Sequence, residues 1–181
     1  MGGGITLTTP TPIRSDLQAE GYGLKFQAAP INAMPATVAL TSGMVYAVLV
    51  GLKAGETITN MCTMVTSGGS SLSLVKLGLY DTAGTRLAVT DDVKANFAGL
   101  GVKTSALSAA YTVPVSGAYY AVMLCTHTGT GPTIPRSAAL TFTAFGSGVA
   151  LVAGESGQTD LDATCTLTAA ATSHGLWLAG N

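Results

Sequence analysis

Charge is what this chain has least of. Eight Lys and Arg and nine Asp and Glu make up 9% of its 181 residues, against roughly a quarter in ordinary soluble domains. Its lysines at 25, 53, 76, 94 and 103 are scattered singly, so no positive patch exists for a phosphate backbone and no nucleic-acid partner is expected. No apolar run approaches the ~20 residues that cross a bilayer as a helix, and no membrane partner is expected. The start, Met1-Gly-Gly-Gly-Ile-Thr6, has no basic region ahead of an apolar core and does not read as a secretory leader.

Cysteine and histidine are scarce too. Cys62, Cys125 and Cys165 lie far apart with no C-x-x-C pair, which argues against a disulfide framework and against zinc. Each falls in an apolar or alternating stretch, as a small buried hydrophobe does, and free thiols suit assembly in a reducing cytoplasm. Cys125 and His127, two apart, would share one strand face as a thiol–imidazole pair. No orienting third group stands near them, and the neighbouring Tyr and Met residues read as core, so no catalytic residue is assigned. Asp81, Asp91 and Asp92 are candidate calcium ligands without the D-x-D-x-D-G spacing; they read as solvated loop carboxylates. No metal and no cofactor are expected. Gly99-Leu-Gly101 and Gly129-Thr-Gly131 lack the strand–turn–helix setting of a phosphate loop. Trp177, Tyr119 and Tyr120 could stack on sugars, but at strand positions such side chains are more often core or interface.

What is present is a strand grammar. Ser71 to Tyr80 alternates, with Val75, Leu77 and Leu79 on one side and Lys76, Gly78 and Tyr80 on the other, the period-2 signature of a strand packed on one face. Asp81 to Thr85 supplies turn residues and Arg86 to Thr90 the return, which makes a β-hairpin. Met44–Val50 and Ala118–Cys125 are apolar on both faces, as central strands are. Thr57 to Val65 gives another strand, with Ile58, Cys62 and Met64 on one face. Asp91 to Leu100 offers one or two helical turns behind an N-capping aspartate. Leu107 to Val113 reads as a short strand, and 126–137 as the longest loop. Leu140, Phe142 and Ala144 alternate, as do Leu161, Ala163, Cys165 and Leu167; Val149 to Val152 extends a sheet or forms another strand. Leu176-Trp-Leu178 closes the chain as a last strand.

Short strands split by Gly and Pro turns, with no long amphipathic helix between them, predict an all-β fold: an antiparallel, jelly-roll-like β-sandwich. Residues 1–42 differ, with Pro10, Pro12, Pro30 and Pro35 and no sustained periodicity. They read as an extended N-terminal arm ahead of a sandwich domain at 43–181. Extended arms lie across a neighbour and complete its sheet edge. The candidate interface residues are Ile13, Leu17, Leu24 and Phe26 on the arm, with Tyr120 and Val122 on the second doubly apolar strand. A hydroxyl-rich surface with so little dispersed charge is poor at keeping copies apart, which favours a chain that works inside an assembly.

The stretch from about Val38 to Leu124 resembles β-sandwich modules of tailed-phage virion proteins: capsid decoration proteins, head fibres and tail fibres. The matching residues are Met44–Val50, Lys53-Ala-Gly-Glu-Thr-Ile-Thr59, a Ser/Gly spacer, Val75-Lys-Leu-Gly-Leu-Tyr-Asp81, Leu87–Thr90 and Val115-Ser-Gly-Ala-Tyr-Tyr-Ala-Val-Met123. The resemblance implies a non-enzymatic bacteriophage structural protein, a homo-oligomer with a trimer plausible, bound to capsid or tail proteins of the virion and assembled in the host cytoplasm. A capsid decoration or head-fibre role is expected first. The alternative is a tail-associated or glycan-binding receptor module, which would show a concave, aromatic-lined site near residues 126–137.

Overall fold

The computed structural model describes residues 23–31, 34–137, 151–168 and 175–181. It is an antiparallel β-sandwich. The strands are β1 (Phe26–Gln27), β2 (Ala36–Ala39), β3 (Met44–Leu52), β4 (Thr57–Val65), β5 (Leu72–Tyr80), β6 (Arg86–Val89), β7 (Gly101–Thr112), β8 (Gly117–His127), β9 (Thr133–Arg136), β10 (Val152–Glu155) and β11 (Leu178–Gly180). One sheet runs β10-β3-β8-β5-β6, its counterpart β1-β11-β4-β7, and β2 pairs with β9 in a small third sheet. The chain changes sheet between β3 and β4, β4 and β5, β6 and β7, and β7 and β8. That exchange of consecutive strands gives the jelly-roll character.

The two doubly apolar stretches pair along their length as β3 and β8, from Met44↔Cys125 to Leu52↔Gly117. The β5–β6 hairpin flanks them, and its Asp81 accepts the backbone N–H of Ala83 and of Thr85 on one carboxylate oxygen. Between the two large sheets lies the main core: Tyr46, Val48 and Val50; Val75, Leu77 and Leu79; Tyr119, Ala121, Met123 and Cys125; and, from the other sheet, Phe26, Ile58, Met61, Val65, Leu107 and Leu178. Leu77 is completely buried, and its backbone N–H donates to the hydroxyl of buried Thr90 at 3.1 Å.

The other face of the five-stranded sheet is also covered, from within the chain. Val45, Ala47, Tyr80, Tyr120, Val122 and Leu124 pack under Ala153, Leu161 and Cys165. The alternation from Leu161 to Leu167 therefore belongs to a strap across that face, not to a regular strand. It makes two isolated bridges, Thr85↔Thr164 and Gly154↔Thr168, and inserts Leu161 and Cys165 while Asp162 to Thr164 stay exposed. It is fastened to the hairpin at several points. Lys76 pairs with Asp160 at 2.8 Å, the Tyr80 hydroxyl donates to Asp162 O at 2.7 Å, and the Arg86 guanidinium donates to Leu161 O. Backbone bonds run from Arg86 N to Ala163 O and from Cys165 N to Gly84 O. Gly84 holds φ +87°, and a Cβ there would stand 2.1 Å from Cys165 O, so the turn meets the strap only because it has no side chain.

Several expectations change. Residues 23–42 are not a free arm: β1 pairs with β11, β2 with β9, and Phe26 and Leu40 enter the main core. The remaining arm residues, Ile13 and Leu17 included, lie outside the described residues, as do Leu140–Ala144 and His174. Ile58 does not share a face with Cys62 and Met64. A bulge between Ile58 and Asn60 reverses the alternation, so Ile58 joins Met61 and Val65 in the main core while Cys62 and Met64 face outward. The hairpin strand is covered on both faces at its end, because Tyr80 is fully buried on the second. Residues 94–98 form a 3-10 turn that buries Phe97; its N-cap is Val93, without a side-chain cap bond. Asp92 instead accepts the N–H groups of Val75 and Lys94. The 126–137 loop contains β9.

Leu77→Ala should cost about 2–5 kcal/mol by urea denaturation, whereas exposed Leu100→Ala should stay within about 0.5 kcal/mol. Gly84→Ala should cost more than about 1 kcal/mol by the same measurement, because it strains the turn and pushes the strap off.

Candidate functional site

The one sequence pair with chemical character, Cys125 and His127, sits at the end of β8. The structure does not join them. Cys125 is fully buried in the main core, and burial pushes its thiol from the ordinary 9.0 up to about 12. A thiol held protonated is a poor nucleophile. The His127 ring turns toward the loops: Nδ1 lies 2.9 Å from Gly129 O and Nε2 3.1 Å from Leu40 O. Ser42 completes this clasp, since its hydroxyl donates to His127 O and accepts from His127 N, both at 2.9 Å. With both nitrogens against backbone carbonyls, the ring fixes the β2–β3 loop to the end of β8 and is not aimed at Cys125. Cys62 and Cys165 are buried as well, and burial raises both thiols.

The three aspartates proposed as calcium ligands are occupied separately. Asp81 holds its own turn, as described. Asp91 accepts from the Ser108 hydroxyl at 2.9 Å, and Asp92 pairs with the Lys94 ammonium at 2.9 Å in addition to its two backbone donors. Burial works to raise Asp92, but those hydrogen bonds and the Lys94 charge outweigh it and hold the carboxyl below its usual range. Among the described residues no three His, Cys, Asp or Glu side chains converge as a metal site would need.

Among the described residues, the three candidate aromatics do not form a sugar platform. Tyr119 and Tyr120 are buried in the two cores, and the Tyr119 hydroxyl donates to Val115 O. Trp177 is buried on the outer side of the four-stranded sheet against Cys62 and Ala179, with Leu24, Met34 and Met64 around them. Of the interface candidates, Ile13 and Leu17 lie outside the described residues. Phe26, Tyr120 and Val122 are buried in their own chain, and Leu24 is half-buried against the Trp177 cluster. Side chains already packed this way have little or no surface to offer a second copy.

What the structure leaves open is backbone and apolar surface. Leu100, Val102 and Val115 are 68%, 64% and 67% exposed, the first two at the start of β7. The β7 strand is an edge of its sheet, and from Val102 to Thr112 its outward residues are Val, Thr, Ala and Ser. No helix among the described residues is long and apolar enough to cross a membrane. Sequence alternation could not find this edge, because a half-buried edge strand and a half-buried central strand share the same period.

No protein-family model matches the sequence, and no curated protein matches it either. The likeness to phage sandwich modules rests on the residues quoted for it.

Raised thiols make stability depend on pH with a fixed sign. Because the Cys125 value is higher folded than unfolded, its contribution is whole below pH 9.0 and is lost as pH rises toward 12. Urea midpoints should therefore fall between about pH 8 and about pH 10.5, and fall less in Cys125→Ala. At the lower pH, iodoacetamide should leave all three native thiols unmodified until the chain is unfolded.

Proposed function

We propose that this chain is a non-enzymatic structural protein of a bacteriophage virion, a capsid decoration or head-fibre protein that oligomerises and binds the assembled particle. The observation that carries the reading is a surface nearly without charge, with Leu100, Val102 and Val115 open to solvent. Such a surface keeps copies apart poorly but suits a chain covered by its neighbours or by a shell. The resemblance of residues 38–124 to phage sandwich modules supports the same reading, and so does the sandwich fold. The fold alone hosts many functions, so the surface and the resemblance bear the weight.

In this reading the sandwich projects from the particle, a trimer is the plausible homo-oligomer, and the residues ahead of Gly23 dock on the virion or exchange between subunits. A decoration protein that bridges neighbouring shell subunits stabilises the shell by mass action, because it binds the assembled state alone. The glycan-binding alternative would need aromatics other than Tyr119, Tyr120 and Trp177, which are buried.

Attachment is testable by truncation. Removing residues 1–22 leaves β1 in place, so the shortened chain should keep its cooperative thermal unfolding yet fail to sediment with particles. Normal co-sedimentation of the shortened chain would defeat the attachment role. Antibody labelling of intact particles should place the full chain on the head; labelling confined to the tail would move it to the alternative.

A further inference from the structure

The outer edge of β7 is built to receive another strand. Asn60 of β4 exchanges both backbone bonds with Asn181, at 3.0 and 3.2 Å, and this sets the phase of the sheet. Backbone groups in an antiparallel sheet alternate in direction along each strand. Asn60, Cys62 and Met64 therefore point toward β11, and Met61, Thr63 and Val65 point toward β7. Their partners Ser105, Lys103 and Gly101 point back. Val102, Thr104 and Ala106 are left with their N–H and C=O groups turned away from β4, and all three are exposed. The run ends at Leu107, where Thr90 bridges to the strand.

The usual protections of an edge are thin here. Lys and Pro blunt exposed edges in other proteins. Between Gly101 and Thr112 there is no Pro and one charge, Lys103, whose ammonium is engaged on Leu100 O at 3.0 Å. Beside the edge lies an uncovered apolar strip. Leu100 and Val102 are exposed, and Val102 stands across from Met64 of the Trp177 cluster. Nothing among the described residues covers this strip.

We propose that this edge is filled by Ile5-Thr-Leu-Thr-Thr9 of a second copy. That segment consists of β-forming residues with period-2 apolar positions at Ile5 and Leu7 and no charge; Gly2 to Gly4 bound it on one side and Pro10 on the other. Its alternation lets Ile5 and Leu7 lie over Leu100 and Val102, while its backbone meets Val102 and Thr104. Pro10 to Tyr22 then form a tether of up to about 40 Å at ~3.3 Å per residue, long enough to reach a neighbouring molecule. The tether leaves from β1, the opposite edge of the same sheet. Donation from one copy to the next is thus head-to-tail, a contact that closes into a ring when the rotation permits. Only the presence of a second copy is taken over from the reading above; no particle is needed.

Co-expressed chains carrying Leu7→Cys and Val102→Cys separately should, under mild oxidation, give a disulfide-linked dimer. Its yield should be several-fold above a pairing of Leu7→Cys with Val115→Cys, an equally exposed control. The native thiols are buried and stay out of the exchange. Thr104→Pro removes an outward N–H without touching the β4 ladder, and should convert the oligomer to monomer in sedimentation, whereas Thr104→Ser should keep it. No dimer above the control, or an unchanged oligomer in Thr104→Pro, overturns the proposal. So does a cross-link that forms only at monomer mass in the doubly substituted chain, which would place the segment on its own edge. A cross-linked oligomer that fails to bind particles would sink the virion reading and support this one.

Discussion

The described body follows from two neighbouring strands, β3 and β8, that are apolar on both faces. Side chains alternate along them, so an unbroken apolar run directs oil to both sides at once, and both sides must be roofed. The four-stranded sheet roofs one. The strap roofs the other, with Leu161 and Cys165 inserted into it. Each fully buried Leu, Val or Met is worth about 1.5–3 kcal/mol relative to exposure, and these strands carry several of them. Two of the buried hydroxyls have backbone partners: Thr63 donates to Trp177 O at 2.8 Å, and Thr90 accepts from Leu77 N. Threonine in place of charge serves the interior as well as the surface.

Periodicity made most of this legible. The hairpin around Asp81, the two central strands and the antiparallel sandwich were all readable, because long alternating or unbroken apolar runs have few other solutions. Three things were not. A bulge at Ile58–Asn60 reverses face without leaving a mark in residue type. The strap alternates like a strand, because inserting every few residues into a flat face resembles alternation when read as letters. Strands as short as Phe26–Gln27 and Ala36–Ala39 carry no period of their own, and so that stretch looked irregular although both pair within the body. What covers the second face of the doubly apolar β8 was not legible, because that roof lies about forty residues later, beyond any local pattern. At the candidate site, the two-residue spacing of Cys125 and His127 was visible; that the ring turns to Leu40 and Gly129 depends on loops distant in sequence.

The strand edges explain where the molecule is open. The β6 end is bridged by Thr164 of the strap, β10 is bridged by Thr168, and Thr90 meets β7 at Leu107. The remaining length of β7 has unpaired backbone and almost no charge. A charge-poor surface and a bare edge are two aspects of one condition: the chain does not carry the means of staying apart from other extended segments.

The strap also sets an order of events for a chain emerging from a ribosome. The atoms it needs, Gly84 O, Arg86 and the Tyr80 hydroxyl, come together only once the hairpin has turned, and the strap itself lies in the last fifth of the sequence. Until it is synthesised, Tyr120, Val122 and Leu124 have no lid, and a half-made chain shows water its most adhesive face. Copies translated side by side on one message would meet in that state, which puts a premium on finishing the last residues quickly.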